Sequence, residues 1–176
     1  MKYNGEVKRI LLASLLSAAS AGFASAQAAP SVSAEIKQAY SRVKDNILKS
    51  AEKIPDDAYS FKPTPELRTF AAVVNHVSDS QMRTCAAVVG EQKDANAAAK
   101  TSKADVIAAL QASFAECDKA FDSLTDSNAS ETFKTPRGQR TRIGALTGNI
   151  AHDNEQYGIL SVYMRLKNIV PPSSER

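Results

Sequence analysis

Tryptophan is absent from the 176-residue chain, and aromatic residues make up only 6% of it. Seven glycines are scattered without a Gly-rich phosphate loop, which removes the nucleotide-binding classes that depend on one. Only two cysteines occur and no Cys-x-x-Cys-His run, so c-type haem attachment is excluded. Charge of either sign is in little excess. Of the formal +3, Lys2, Lys8 and Arg9 against Glu6 place +2 in the first 26 residues, leaving +1 for the rest. The sequence pI of about 8.8 therefore owes much to the leader, and no basic patch argues for a nucleic-acid partner. Neither of the two histidines has a local serine-and-acid setting that would make a Ser-His-Asp nucleophile. No strand and no internal repeat is expected.

What is present begins with a leader. Lys2, Lys8 and Arg9 precede an apolar, small-residue run from Ile10 to Ala24, and Ala24-Ser25-Ala26 is an A-x-A cleavage pattern before Gln27. The run is about 15 residues, short of the roughly 20 that span a bilayer. No cysteine follows it to carry a lipid. The expectation is a signal peptide over 1–26 cut after Ala26, a single domain over 27–176, a periplasmic location, and no stable membrane insertion after cleavage.

The remainder reads as four helices. The first runs from about Ser33 to Lys53, with Ile36, Tyr40, Val43, Ile47 and Ile54 on one stripe and lysines between them. Pro55 stops it, because proline lacks the amide hydrogen and clashes inside a helix. A proline-bearing loop follows, in which Tyr59 and Phe61 are candidate core plugs. The second helix, from Thr69 to Val89, carries Phe70, Val74, Val77, Gln81, Cys85 and Val88 on its main stripe. At 100° per residue His76 falls nearly opposite that stripe, beside Thr69, Val73 and Ser80, so it faces solvent or a more polar second surface.

Gly90 to Thr101 is a polar connection of a dozen residues. Neighbouring bundle helices usually need 2–8, so this one permits a crossover that leaves the second and third helices parallel. Ser102 opens the third helix with Asp105 three residues on, close to a capping box. Val106, Leu110, Phe114, Cys117, Phe121 and Leu124 stripe it to about Asp126. Ser127 to Arg140 reads as a polar loop. The fourth helix runs from about Thr141 to Lys167 and is apolar on two faces: Leu146, Ile150, Tyr157 and Met164 on one, His152, Gln156, Ile159 and Tyr163 on the other. Such a helix is deeply buried or shared with a second copy, so a homodimer is one expectation.

Cys85 and Cys117 form an even pair in an exported chain, which favours a disulfide over reactive thiols. Both sit mid-helix on apolar stripes, away from the basic or N-terminal settings that activate a thiol. Two buried free thiols remain the alternative. Cys85 lies 16 residues after Thr69, and Cys117 lies 15 after Ser102. In a parallel pair the thiols stand at nearly one height. In an antiparallel hairpin they would be about 15 Å apart along the axis, too far to bridge.

His152, Gln156 and Gly158 in Ala151-His152-Asp153-Asn154-Glu155-Gln156-Tyr157-Gly158 resemble the H-x-x-x-H-x-G segment of the DinB-like superfamily. Thr69 and His76 match the Ser/Thr and, seven residues later, the histidine of that family's second helix. The loop Tyr59-Ser60-Phe61-Lys62-Pro63 with Arg68-Thr69-Phe70 is also similar, and the likeness extends over about Ile36 to Pro172. The resemblance implies an all-α, up-down-down-up four-helix bundle with a long crossover between helices two and three. It further implies a divalent metal, zinc or nickel, on His76, His152 and the position of Gln156. Gln156 stands where the family usually has its third histidine, and an amide oxygen is a poor substitute for imidazole. Such a site would bind weakly unless Asp79, Asp153 or Glu155 contributes; by helical phase Glu155 lies about 60° from His152 and could assist, while Asp153 lies about 100° away. Two functions follow: a metal-dependent enzyme of thiol-transferase or hydrolase type acting on a small molecule, or a non-catalytic binding or structural bundle that has lost the metal.

Overall fold

The computed structural model describes residues 31–136 and 138–175; the leader expected over 1–26 lies outside them. Four helices make the body: α1 Val32–Lys53, α2 Phe70–Val88, α3 Lys103–Asp122 and α4 Arg142–Leu166. Each begins at a hydroxyl. The side chains of Ser31, Thr69, Ser102 and Thr141 accept from the backbone N–H three residues on, satisfying one of the donors a helix start leaves open. The α1 C-terminus passes through Pro55 into a 3-10 turn over Asp56–Ser60.

Cross-helix bonds fix the directions. Lys37 pairs with Asp122 and Lys103 donates to the Ile54 carbonyl, so α1 and α3 are antiparallel. Arg142 reaches the Val88 carbonyl and Tyr163 the Arg68 carbonyl, so α2 and α4 are antiparallel. Gln81 meets Ser113, and four residues further along each helix Cys85 is disulfide-bonded to Cys117 with Cα atoms 4.9 Å apart. Both positions advance together, so α2 and α3 are parallel and the order is up-down-down-up. Free thiols are thereby ruled out in favour of the disulfide. The long connection is pinned at several points: Asp79 accepts from Ala97 N, Asn75 donates to the Lys100 carbonyl, and Lys93 bonds Glu116 on α3.

The expected stripes are the core. Val43, Ile47, Phe70, Val74, Leu110, Phe114, Phe121 and Leu146 are all buried, each apolar side chain contributing about 1.5–3 kcal/mol. Tyr40 stacks on Phe121 at 3.9 Å and donates to Asp118. The loop aromatics plug one end as expected: Tyr59 donates to the Ala51 carbonyl and packs edge-on to Phe70, and Phe61 packs edge-on to Tyr163.

Two expectations fail. The segment read as an irregular loop contains an antiparallel hairpin, β1 Thr132–Thr135 and β2 Gly138–Thr141, paired from Thr132↔Thr141 to Thr135↔Gly138. Its residues are mostly polar and only Phe133 packs on the core, so the strands carry no hydrophobic alternation. The turn chemistry was the available signal: Pro136 and Gly138 occupy positions two and four of a β-turn. Second, α3 stops at Asp122 rather than near Asp126. Thr125 N donates to Asn128 Oδ1, and Asn128 Nδ2 to the Ser123 carbonyl, so side chains compete for the backbone and end the helix. Asp126 is released to accept from Ser33 N at the start of α1. Hydrogen bonds from the Ser33 backbone and side chain hold its carboxyl below the usual range, and the charge suits the helix N-terminus.

Among the described residues no helix is long and apolar enough to cross a membrane.

Candidate functional site

The antiparallel pair α2 and α4 brings the two histidines together. His76, off the main stripe of α2, turns toward α4 and meets His152, with Nε2 atoms 3.1 Å apart and rings edge-on at 5.0 Å. Both are partly buried. Burial, then the nearby charges of Arg68, His152 and Arg83, hold His76 below the ordinary histidine range, so its imidazole is neutral at physiological pH, the form that ligates metals.

Behind His152 lies Asp153, fully buried. Its Oδ1 is 3.2 Å from His152 Nδ1, and its Oδ2 accepts from Asn149 Nδ2 at 2.8 Å. Burial pushes this carboxyl up, opposed by the bonds from His152 and Asn149. An accepting Asp153 favours the His152 tautomer with its proton on Nδ1, which presents the Nε2 lone pair to His76. Asp153, one of the possible helpers in the sequence, is turned to the Nδ1 side of His152 and to Asn149, so it sits behind the ring rather than on the Nε2 side. His152 and Asp153 are adjacent and Asn149 lies one turn earlier, but the sequence does not show that the Asp153 carboxyl is buried, on which this role depends.

Gln156 stands one turn beyond His152 on the same face and is buried. Its Oε1 has no hydrogen-bond partner, which leaves an acceptor unsatisfied at a cost of about 1–3 kcal/mol. Its side chain borders a cavity of about 400 Å³ whose walls include Leu67, Arg68, Val73, Ile159 and Tyr163. Glu155, the expected assistant, is exposed, and Asp79 is engaged at Ala97.

The donor set can be tested against a metal. Zinc–nitrogen bonds of 2.0–2.1 Å at tetrahedral angles place two nitrogens about 3.3 Å apart. The Nε2 separation of 3.1 Å is close to that, and the Asp153–His152 pair is the carboxylate–imidazole arrangement common behind metal ligands. Among the described residues no three His, Cys, Asp or Glu side chains converge as ligands. The set is therefore two imidazoles and the free amide oxygen of Gln156, an open and weak site. The same distance suits a direct hydrogen bond from one Nε2–H to the other Nε2. Metal and hydrogen bond exclude each other, because His76 must move its proton to Nδ1 before Nε2 can ligate.

The sequence model of the DinB superfamily matches residues 39–160, most of the four-helix body, and the chain belongs to that superfamily. Solved structures agree on the fold. A DinB-like protein from Bacillus cereus superposes with a TM-score of 0.67 at 16% identity, over 78% of this chain and 93% of that one. A conserved protein from Enterococcus faecalis gives 0.62 at 14%, over 78% and 98%. A DinB-like protein from Bacillus subtilis gives 0.60 at 17%, over 76% and 92%. No curated relative matches the sequence.

Proposed function

We propose that this bundle is an exported, divalent-metal-dependent enzyme acting on a small molecule, with His76 and His152 as ligands. The observation that supports this most is the meeting of the two Nε2 atoms, with Asp153 behind one ring and the Gln156 amide oxygen unsatisfied one turn away. A zinc or nickel ion held there would supply Lewis acidity for a water or thiolate. The chain's own residues do the rest. Asp153 holds His152 in the Nδ1–H tautomer, Asn149 holds Asp153, and Gln156 offers its oxygen as a weak third ligand or a substrate contact. Val73, Ile159 and Tyr163 give the cavity that Gln156 borders a largely apolar wall for the substrate. A transferase of thiol type or a hydrolase would use this arrangement in the same way.

Export is supported by the leader pattern and by the Cys85–Cys117 disulfide, since disulfides persist in oxidising compartments. Intact mass and N-terminal sequencing of the exported protein should give Gln27 as its first residue.

The second reading, a binding or structural bundle without metal, is favoured by the His76–His152 hydrogen bond, which satisfies the pair without any ion. Metal analysis of untagged protein decides between them. The enzyme reading expects zinc or nickel near one per chain, weaker retention in His76→Ala and His152→Ala, and tighter retention in Gln156→His. Equal chelator competition in all three variants and the wild type would remove the site.

A further inference from the structure

We propose that the hairpin end of the α2–α4 groove is an anion-binding subsite, in which Arg83 and Arg140 receive a carboxylate or phosphate on a small ligand. A cavity of about 360 Å³ opens there, lined by Ser80, Arg83, Thr84, Phe133, Arg140 and Ala145 among others. Among the described residues its walls carry two guanidiniums and no carboxylate. Ser80 and Thr84 lie four and eight residues past His76, and Gly148 and Ala145 lie four and seven before His152. In antiparallel helices both sets are displaced the same way, so the cavity stands about 6–12 Å along the groove from the histidines.

The arginines are available but not idle. Arg140 Nη2 donates to the Gly144 carbonyl at 2.6 Å, which seats its guanidinium on the first turns of α4. Gly148 makes the seat: a Cβ there would lie 2.8 Å from Nη2. Arg83 has one carboxylate neighbour, Asp94 at 3.5 Å, and both side chains are more than half exposed. Such a pair is worth little. An oxyanion placed between two guanidiniums gains charge-assisted, bidentate bonds that Asp94 does not supply at that distance. The other end of the groove, past Gln156, is mostly apolar, through Leu67, Val73, Ile159, Val162 and Tyr163, with Glu66 and Arg68 also in its lining. The groove as a whole therefore fits a small amphiphilic acid: charged group under the hairpin, reactive group at the histidines, apolar portion beyond. This extension rests on the metal-centred reading for what the rest of the ligand reaches; the anion subsite itself does not.

The test uses full-length mature protein with its disulfide intact, freed of metal with a chelator, at fixed ionic strength. Inorganic phosphate and, separately, propionate are titrated and followed by amide shifts. At least one should saturate, with shifts confined to residues 80–87, 132–136 and 138–145. Saturation by phosphate alone or by propionate alone supports the subsite and names its anion. The Arg83→Gln/Arg140→Gln double variant should lose at least about tenfold in affinity. Gly148→Ala should weaken binding with both charges kept, by unseating Arg140. His152→Ala should bind the anion unchanged, which separates this subsite from the fate of the metal reading. Absence of saturation by either anion, or undiminished affinity in the folded double variant, would overturn it.

Discussion

Helix α2 has two working faces, and they differ in kind. Toward α3 it presents Gln81 and Cys85, both fully buried, joined to Ser113 and Cys117 by a hydrogen bond and a disulfide. Toward α4 it presents the partly buried His76, which faces His152, with the free amide oxygen of Gln156 on α4 and cavities on either side. Gln81 Oε1 also lacks a partner, but it borders neither of those cavities. An unsatisfied atom is thus informative here only where a ligand could reach it. One face sets the topology, and the other is left open enough to bind.

The largest effect should come from the closed face. The disulfide joins residues 32 apart, and in the chain-entropy model such a loop is worth about 3–4 kcal/mol. Reduction, or Cys85→Ala with Cys117→Ala, should lower the unfolding free energy by about that amount in urea titrations with and without reductant. Metal affinity should stay within about threefold, because the histidine pair is held by α2 and α4. A parallel collapse of metal affinity would show that the two faces are not independent.

On the open face the order is ligand first, then support. His76→Ala or His152→Ala should weaken zinc by more than the roughly 10–100-fold that loss of an outer partner costs. Asp153→Asn should fall within that 10–100-fold range, because an amide nitrogen turned toward Nδ1 favours the opposite imidazole tautomer. The denaturation midpoint of Asp153→Asn should hold or rise near neutral pH, since burial already disfavours this carboxylate. A drop in stability as large as the drop in affinity would make Asp153 a core residue rather than a positioning one. Chelator competition and urea titration on the same preparations give both numbers.

How much of this contrast could be read beforehand follows the same division. Apolar periodicity marks the closed face, so the stripes of α2 and α3 were legible; the even cysteine pair favoured the disulfide over free thiols, and the parallel crossover came from the long connection and the family resemblance. His76 was legible as a misfit opposite its stripe, and His152 with Gln156 through the family segment. Asp153 and Asn149 were not, because burial of a carboxylate depends on what packs against it, which a single helix does not specify. The hairpin was hidden for the opposite reason. Its strands bury little, so the alternation that marks a strand is absent, and with it went Arg140 and the cavity it lines. Polar structure held by backbone pairing leaves a weaker trace in sequence than structure held by burial.

The smallest effect tests the crossover that keeps the two faces apart. Glu116 is buried on α3, and its Oε2 accepts from Lys93 in the connection at 2.9 Å and from Lys119 at 3.0 Å. Burial alone would push its carboxyl up, but the two lysine bonds outweigh it and hold it below the usual carboxylate range. A depressed folded value means that the contribution is present above the unfolded value, near 4.3, and is lost as pH falls through the folded one. Glu116→Gln should therefore be less stable by about 1 kcal/mol at pH 7, with the gap closing as the pH drops below about 4. Urea titrations of both proteins at pH 7 and pH 3 measure it. A gap of the same size at pH 3 would mean that Glu116 acts through packing, and the pinning of the connection would then rest on Asp79, Asn75 and the Arg83–Asp94 pair.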